Sequence, residues 1–450
     1  MENNNFSSGL AGDEPGYNEA LEYLYSRLPM FSRIGAAAYK PGLETSLMLS
    51  AAFGDPHRKF RSIHVAGTNG KGSTSHTLAS VLQASGLKVG LYTSPHLVDF
   101  RERIRVNGEM IPRRKVIDFV DRWREMDYDG SPSFFELTMM MAFEWFSTEK
   151  VDVAVIEVGM GGRLDSTNII TPELCVITNI SKDHTQFLGS TPEAIACEKA
   201  GIIKKGIPVV IGEASGIVKE VFEKRAAEVG APIRFAEDEK VLLRILAPTE
   251  PSGWIAESPL AGKEPFRYPL GGDYQKKNLL TAMTAIEEIE KRKLWVLDSR
   301  SVRKGLEEVE NLTGLAGRWM VQGETPLVIC DTGHNEAGLR YNLAQLRRLL
   351  ESRPGGKLRM VIGFVADKAI DDILAMMPRE AEYYLTNARI PRALPVSELG
   401  RKVAEIGLTA REYTDVADGV RAALSEADQN DIVYIGGSTF VVADWLASRH

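Results

Sequence analysis

Short runs of β-branched residues alternate with longer segments of helical periodicity through most of this sequence of 450 residues. The clearest runs are residues 61–66, 151–158 and 174–179, and each is followed by a loop and then by a helical segment. Because these runs are nearly continuous in hydrophobicity, we expect them to be buried on both faces. The alternation therefore predicts an α/β protein with a mostly parallel sheet covered by helices on both sides.

Two interruptions of this alternation divide the chain. Between about 233 and 270, prolines and glycines break the sequence into short runs, which predicts a local antiparallel sheet or an exposed insertion. Residues 311–318 carry two glycines in a short span and are predicted to form a hinge. Further strand-like runs lie at 327–331, 358–363, 382–386 and 431–436. We therefore predict a first domain over residues 1–310 and a smaller α/β domain over 319–450.

Composition excludes several classes of protein. With 54 Lys and Arg against 61 Asp and Glu, the net charge of -7 provides no overall positive field for nucleic acid or an anionic membrane. The three cysteines are widely spaced and predict neither a disulfide framework nor a zinc site. The polar N-terminus resembles no signal peptide, and no apolar run reaches the roughly 18–20 residues of a membrane span. We therefore expect a cytoplasmic monomer with small-molecule partners.

The strongest motif is a glycine-rich loop between a hydrophobic run and a helical one. Residues 66–74 read Ala-Gly-Thr-Asn-Gly-Lys-Gly-Ser-Thr. Glycines allow backbone N–H groups to turn toward phosphate oxygens, and the lysine reaches the β- and γ-phosphates. The spacing departs from the general pattern of nucleotide-triphosphatase phosphate loops at Val65 and Gly72. The alternative interpretation is a plain glycine-rich turn between a strand and a helix. The predicted ATP-binding residues of the loop are Gly67, Thr68, Asn69, Gly70, Lys71, Gly72 and Ser73.

Three further polar residues follow predicted strands. Glu157 ends the run 151–158, Ser94 lies in Thr-Ser-Pro-His, and His184 follows the run 174–179. If these strands are parallel neighbours, the three side chains meet at one edge of the sheet, where they suit Mg²⁺ beside nucleotide phosphates. The alternatives are a solvated glutamate at a strand end and a histidine with a structural role.

Several motifs in register resemble folylpolyglutamate synthase/dihydrofolate synthase, a branch of the Mur ligase superfamily. They are residues 64–73, 92–97, 100–104, 157–168, 183–189, 198–202, 272–278, 317–318 and 331–335. The resemblance implies a P-loop ATP-binding domain followed by a smaller Rossmann-like domain. It also implies ATP-dependent amide synthesis, in which ATP phosphorylates a carboxylate of dihydropteroate or folate and the amine of L-glutamate displaces phosphate from the acyl phosphate.

The resemblance also implies roles for residues of the first domain. Ser94 and Glu157 would bind one Mg²⁺, and Glu157, His184 and Lys199 would bind a second. In the family the lysine matching Lys199 is carbamylated, which turns a cation into an anionic ligand. On the residues alone, Lys199 is a lysine in the last turn of a helix, where a positive charge is favourable.

The resemblance implies four more site residues in the first domain, the hinge and the second domain. Asn278 would lie at the adenine, Arg318 on the phosphates and Asp331 on the nucleoside. His334 would lie near the reacting groups. The predicted catalytic residues are Lys71, Glu157, His184, Lys199, Arg318 and His334.

Two residues of the first domain are implied in substrate binding. The family alignment puts Phe135 against the pterin ring and Asp165 near its polar edge. Aromatic stacking suits a flat heterocycle. The sequence around Phe135 is equally typical of the core of the helix that follows, and on the residues alone this second interpretation is favoured.

Three other functions are alternatives to ligation of glutamate to folates. A Mur-type cell-wall ligase is the nearest, and Gly72 directly after Lys71 favours the folate branch. A nucleotide-binding regulator without catalysis predicts loss of Lys71, Glu157 or His184, all of which are present. A P-loop kinase or motor leaves the hinge and the second domain without a role.

Overall fold

The computed structural model describes residues 14–29, 42–128, 130–249, 252–366 and 370–449. The strands of the first sheet are β1 Ser62–Ala66, β2 Val89–Tyr92, β3 Ile104–Val106, β4 Glu109–Met110, β5 Val153–Glu157, β6 Leu174–Ile177, β7 Val209–Ile211 and β8 Ile233–Phe235. Their order is β4-β3-β2-β5-β1-β6-β7-β8. All pairs from β2 to β8 are parallel, whereas β3 and β4 add an antiparallel edge. The predicted mostly parallel sheet is confirmed.

Helices cover both faces of this sheet. Successive side chains of a strand point to opposite faces, and β5 shows the consequence. Val155 packs in a cluster with the helices Lys71–Ala84 and Gln275–Lys291, whereas Ile156 packs in another with the helix Phe134–Thr148. Both side chains are fully buried, as the continuous hydrophobic run predicts.

The region with many prolines and glycines forms a small antiparallel sheet beside the first domain. Its strands are β9 Arg244–Pro248, β10 Trp254–Glu257 and β11 Phe266–Tyr268. This confirms the antiparallel alternative. The remaining helices before the second domain are Tyr17–Arg27, Glu44–Ala52, Arg113–Glu125, Thr185–Leu188, Pro192–Ala200, Gly216–Val229, Ser299–Glu307 and Val309–Thr313.

A second α/β unit follows. Its strands are β12 Met320–Glu324, β13 Leu327–Cys330, β14 Leu358–Ile362, β15 Glu382–Thr386, β16 Ala410–Tyr413 and β17 Ile432–Gly436. Their order is β12-β13-β17-β14-β15-β16, with only β12 antiparallel to its neighbour. The helices are Glu336–Glu351, Asp371–Leu374, Val396–Glu405, Val416–Ser425 and Thr439–Ala447. The second α/β series is confirmed, and β12 and β16 extend the four predicted strands to six.

The predicted boundaries at residues 310 and 318 stay predictions, and the helix Val309–Thr313 crosses the first of them. Within the described ranges, no helix is both long and apolar enough to cross a membrane.

In parallel sheets, ligands bind outside the carboxyl ends of the strands. The loops after β1, β2, β5 and β6 all leave that edge of the first sheet.

Candidate active site

The glycine-rich loop follows β1 and leads into the helix Lys71–Ala84. Gly67 and Gly70 have φ values of 145° and 83°, which side chains rarely adopt. Space is also limited, because a Cβ at Gly70 would lie 2.1 Å from Asn278 Oδ1 and one at Gly67 would lie 1.8 Å from Thr178 Oγ1. The glycines therefore let the loop lie directly against its neighbours.

Lys71 folds back over this loop. Its Nζ donates hydrogen bonds to Gly67 O and Thr68 O, both at 3.1 Å. The same ammonium is close enough to Glu157 to lower the pKa of that carboxyl. Lys71 therefore lies between the loop carbonyls and the carboxylate at the end of β5.

The loop is fixed by the segment after β6. Thr68 N donates to Asn179 O at 2.9 Å, and Asn69 N donates to Asn179 Oδ1 at 3.0 Å. Thr68 Oγ1 donates to Ser181 O at 3.1 Å. These bonds hold Thr68 and Asn69, two of the predicted ATP-binding residues, in place against the segment after β6.

Glu157 and Ser94 lie together because β2 and β5 are neighbours, and their contact is made by the Ser94 amide. Ser94 N donates to Glu157 Oε2 at 3.2 Å, and Glu157 is 3% exposed. Burial raises the pKa of Glu157, while Lys71, the Ser94 amide and Arg318 act in the opposite direction. The neighbouring cations and the Ser94 amide therefore favour the ionised form of this carboxyl, whereas its burial favours the neutral form.

Lys199 contacts the same loop from the last turn of the helix Pro192–Ala200. Its Nζ donates to Gly67 O at 2.9 Å, and the residue is 3% exposed. Burial, assisted by the positive charge of Lys71, lowers the pKa of Lys199 to about 7, against the opposite effect of Asp183. A substantial share of this amine is therefore neutral near pH 7.

His184 has a left-handed backbone conformation with a φ of 49° and precedes the short helix Thr185–Leu188. Its Nε2 lies 3.9 Å from Asp183 Oδ1. In the sheet order β1 separates β5 from β6, so Glu157 and the loop carrying His184 are not on neighbouring strands. In the part of the chain that the structure describes, no three His, Cys, Asp or Glu side chains are grouped closely enough to hold a metal ion.

The predicted hinge and the second domain each reach this loop through one residue. Arg318 Nη2 would lie 3.5 Å from a Cβ built at Gly72, and a pocket between Arg318 and Glu157 is bordered by Ser94. Asn335 Nδ2 donates to Asn69 Oδ1 at 2.9 Å.

His334 contacts two acceptors. Its Nε2 lies 3.2 Å from Asp183 Oδ2, and its Nδ1 lies 3.0 Å from Thr332 O. Because a carboxylate and a carbonyl both accept, the two bonds form together only when both ring nitrogens carry a proton. His334 is thereby tied to the loop after β6.

Two predicted nucleotide residues are engaged with protein groups. Asn278 Nδ2 donates to Gln275 Oε1 at 2.9 Å, and Gln275 Nε2 donates to Ser73 Oγ at 3.1 Å. Asp331 is 2% exposed and accepts hydrogen bonds from four protein donors, namely Tyr274 OH, Trp319 N, Gly333 N and Asn342 Nδ2. Contact of Asn278 and Asp331 with a nucleoside stays a prediction.

Phe135 and Asp165 both contact the loop that follows β5. The Phe135 ring packs against Gly159, where a Cβ would lie 2.5 Å from Cζ, and its centroid is 5.9 Å from that of Tyr92. Asp165 accepts from Met160 N at 2.8 Å, and burial raises its pKa. Phe135 also borders the hydrophobic cluster of the first domain, so its contacts agree with both interpretations.

Three polar side chains of this region, Asp183, Arg103 and His96, have no role predicted from the sequence. Asp183 accepts from His334 and Asn335 of the second domain, and its place beside His184 was the available signal. Arg103 Nε donates to His96 Nδ1 at 2.7 Å and is buried, although its motif indicated nothing about this contact.

Comparisons with known proteins agree with this architecture. Residues 65–286 match the Mur ligase middle domain, and residues 317–439 match the glutamate ligase domain of Mur ligases. The folylpolyglutamate synthase of Lacticaseibacillus casei is 34% identical over 447 residues, covering 95% of this chain and 97% of the relative.

Solved structures are similar over nearly the whole chain. Escherichia coli FolC in complex with DHPP and ADP superimposes with a TM-score of 0.81 at 29% identity, covering 98% of this chain and 99% of that one. A bifunctional folylpolyglutamate synthase/dihydrofolate synthase with Mn, AMPPNP and L-glutamate bound has a TM-score of 0.77 at 32% identity, covering 92% and 95%. This chain therefore belongs to the folylpolyglutamate synthase/dihydrofolate synthase family, the ATP-dependent glutamate ligases of the Mur ligase type.

Proposed function

We propose that this chain joins L-glutamate to dihydropteroate, to folate or to both, with ATP as the phosphoryl donor. The observation that carries the proposal is the position of Arg318, which lies beside Gly72 of the phosphate loop and near Glu157. A residue of the predicted hinge thus faces the phosphate loop of the first domain, where its positive charge can act on a transferring phosphoryl group. The ligands of the two similar structures support the choice of substrates.

Phosphoryl transfer is assigned to Lys71, Arg318 and the loop. The loop amides and the N-terminus of the helix Lys71–Ala84 suit a phosphate, and the Lys71 ammonium can turn from the carbonyls it now contacts. A carboxylate oxygen of the acceptor then attacks the γ-phosphorus, and ADP leaves. Arg318 stabilises the negative charge on the transferring group from the opposite side.

Amide formation completes the reaction. The neutral amine of glutamate attacks the carbonyl carbon of the acyl phosphate, a C–N bond forms, the C–O bond to phosphate breaks, and phosphate leaves with the proton that the amine loses. His334 is assigned to this half of the site, because its ring contacts Asp183 of the first domain at the boundary between the domains. Asn335, which bonds to Asn69, keeps the two domains together at this point.

The chain's oxygen donors fit a magnesium ion beside the loop. Glu157 is a buried carboxylate with a raised pKa, and Ser94, bonded to it through its amide, adds a hydroxyl next to it. Hard oxygen ligands of this kind suit Mg²⁺, which supplies positive charge to the phosphates when bound. We assign His184 to a second metal site together with Glu157 and Lys199.

Lys199 is proposed to be carbamylated. A neutral Nζ attacks CO₂, a C–N bond forms, one proton is released, and the side chain becomes an anion. The lowered pKa of Lys199 supports this step because it supplies the neutral amine near pH 7. Phe135 and Asp165 are assigned to the pterin ring, and Asn278 and Asp331 to the nucleoside. A cytoplasmic location and a monomeric state stay predictions.

The direct test is incubation of the purified protein with ATP, Mg²⁺ and L-glutamate. Dihydropteroate and tetrahydrofolate are supplied in separate reactions, and products are identified by mass. We expect at least one acceptor to gain a single glutamate with release of ADP and phosphate. Failure with both acceptors, or addition of an amino acid to a cell-wall precursor instead, would contradict the proposal.

A further inference from the structure

Asp331 occupies an unusual position at the carboxyl end of β13. Its Oδ2 accepts from Tyr274 OH at 2.6 Å and from Trp319 N at 2.8 Å. Its Oδ1 accepts from Gly333 N and from Asn342 Nδ2, both at 2.7 Å. Each oxygen of this carboxylate therefore accepts two hydrogen bonds from protein donors.

These donors come from three parts of the chain. Tyr274 immediately precedes the helix Gln275–Lys291 of the first domain, Trp319 follows the predicted hinge, and Gly333 and Asn342 belong to the second domain. Asp331 is thus the point at which one side chain joins both domains to the segment between them. Tyr274 supplies the contact from the first domain.

The backbone around the hinge depends on such contacts. Gly317 has a φ of 72° and Trp319 a φ of 47°, so left-handed residues stand on both sides of Arg318. This conformation is unfavourable for a bulky residue and persists only where its surroundings hold it. The Trp319 N–H bond to Asp331 holds it, and the indole packs so closely on Gly271 that a Cβ there would lie 2.5 Å from Cδ1.

The direction of Arg318 follows from this conformation. Its two neighbours determine where its Cα–Cβ bond points, and the guanidinium lies beside Gly72 and close enough to Glu157 to lower the pKa of that carboxyl. A change in the backbone at Trp319 would therefore change the direction of Arg318. This holds although, among the described residues, neither Tyr274 nor Asp331 forms a hydrogen bond with the phosphate loop.

A second contact of the same segment has the same effect on the domains. Asp273 N donates to Gln345 Oε1 at 2.7 Å, and the Asp273 carboxylate pairs with Arg348. Gln345 and Arg348 lie on the helix Glu336–Glu351 of the second domain. The segment 271–274 therefore contacts the second domain at two places, through Asp273 and through Tyr274.

We propose that Tyr274 is a positioning residue for ligation, which acts through Asp331 and Trp319 to aim Arg318 at the phosphate loop. The role assigned to Arg318 rests on the proposed function. The effect of Tyr274 on the backbone at Trp319 does not, and it is measurable without any substrate.

The test replaces Tyr274 by phenylalanine, which removes only the hydroxyl. The matched control is Tyr383→Phe, because Tyr383 is a buried tyrosine whose hydroxyl donates to Pro378 O within the second domain, away from the hinge. Hydrogen exchange of the peptide that covers 315–321 is measured on the substrate-free protein. We expect the Trp319 amide to exchange on the order of tenfold faster in Tyr274→Phe and to be unchanged in Tyr383→Phe.

Kinetics provide the second measurement. We expect Tyr274→Phe to lower kcat about tenfold with KM for ATP nearly unchanged, and to have no further effect in an Arg318→Ala background. An equal loss in both backgrounds, or unchanged Trp319 exchange, would overturn the proposal. If the unmodified protein ligates no folate, the proposed function fails, and the exchange experiment still decides the role of Tyr274.

Discussion

Replacing Lys199 by methionine is expected to make the protein more stable and nearly inactive. Burial lowers the pKa of Lys199 from 10.5 to about 7, so the folded state resists protonation of this amine. At roughly 1.4 kcal/mol per pKa unit, this lowering of the Lys199 pKa reduces the free energy of unfolding at pH 7 by about 4 kcal/mol. Methionine removes the charge with little change in length. Loss of the Lys199 hydrogen bond to Gly67 O reduces this gain in stability by about 1 kcal/mol, and Lys71 still donates to that oxygen.

The dependence on pH has a definite sign. Because the pKa is lower in the folded state, the unfolded chain binds more protons between pH 7 and 10.5. The stability of the unmodified protein therefore rises with pH across this window and is level below it, as far as this group is concerned. The advantage of Lys199→Met should be roughly 2–4 kcal/mol at pH 7 and should disappear toward pH 10.5.

The assay is denaturant unfolding at several pH values, in CO₂-depleted buffer without nucleotide or divalent cations. Lys205→Met is the matched control, since Lys205 is exposed and lies in the same segment. It should change the free energy of unfolding by no more than about 0.5 kcal/mol. A Lys199→Met protein that is less stable at pH 7, or whose advantage does not depend on pH, would refute the reasoning.

Three further predictions concern turnover. Glu157→Gln should abolish phosphate release while leaving the melting temperature nearly unchanged, because it removes charge but not volume from the proposed metal site; near-normal release would remove Glu157 from the reaction. Arg318→Ala should lower kcat about 100-fold or more with a smaller effect on ATP affinity, and the reverse pattern in steady-state kinetics would contradict its role in the closed site. Lys199→Ala should be nearly inactive and partly restored by added acetate, whereas Lys199→Arg should not be restored; full activity of Lys199→Ala would leave the lysine only its structural place at a helix end.

The sequence predicted those parts of the fold that follow from local patterns. Continuous hydrophobic runs identified β1, β5 and β6, and their parallel arrangement explains why the loop at Gly67 and the carboxylate of Glu157 share one edge. The contact between Ser94 and Glu157 was predicted because both end neighbouring parallel strands. Periodicity and turn residues were sufficient for these features.

Other features depend on contacts between distant segments. The order β5-β1-β6, which separates Glu157 from the loop of His184, is a property of strand pairing rather than of any one strand. The left-handed conformation of Trp319 is held by Asp331 and has no local signal in the sequence. The bond between Asn69 and Asn335 spans the two domains, and no spacing in either motif indicates it.

The central claim is that a substrate carboxylate is phosphorylated by ATP before glutamate is added. The most direct measurement uses an acceptor whose reactive carboxylate is labelled with ¹⁸O, followed by mass analysis of the phosphate that is released. Formation and breakdown of an acyl phosphate transfer one carboxylate oxygen to phosphate, so we predict phosphate that carries one ¹⁸O for each amide formed. Amide formation with release of unlabelled phosphate would contradict the account.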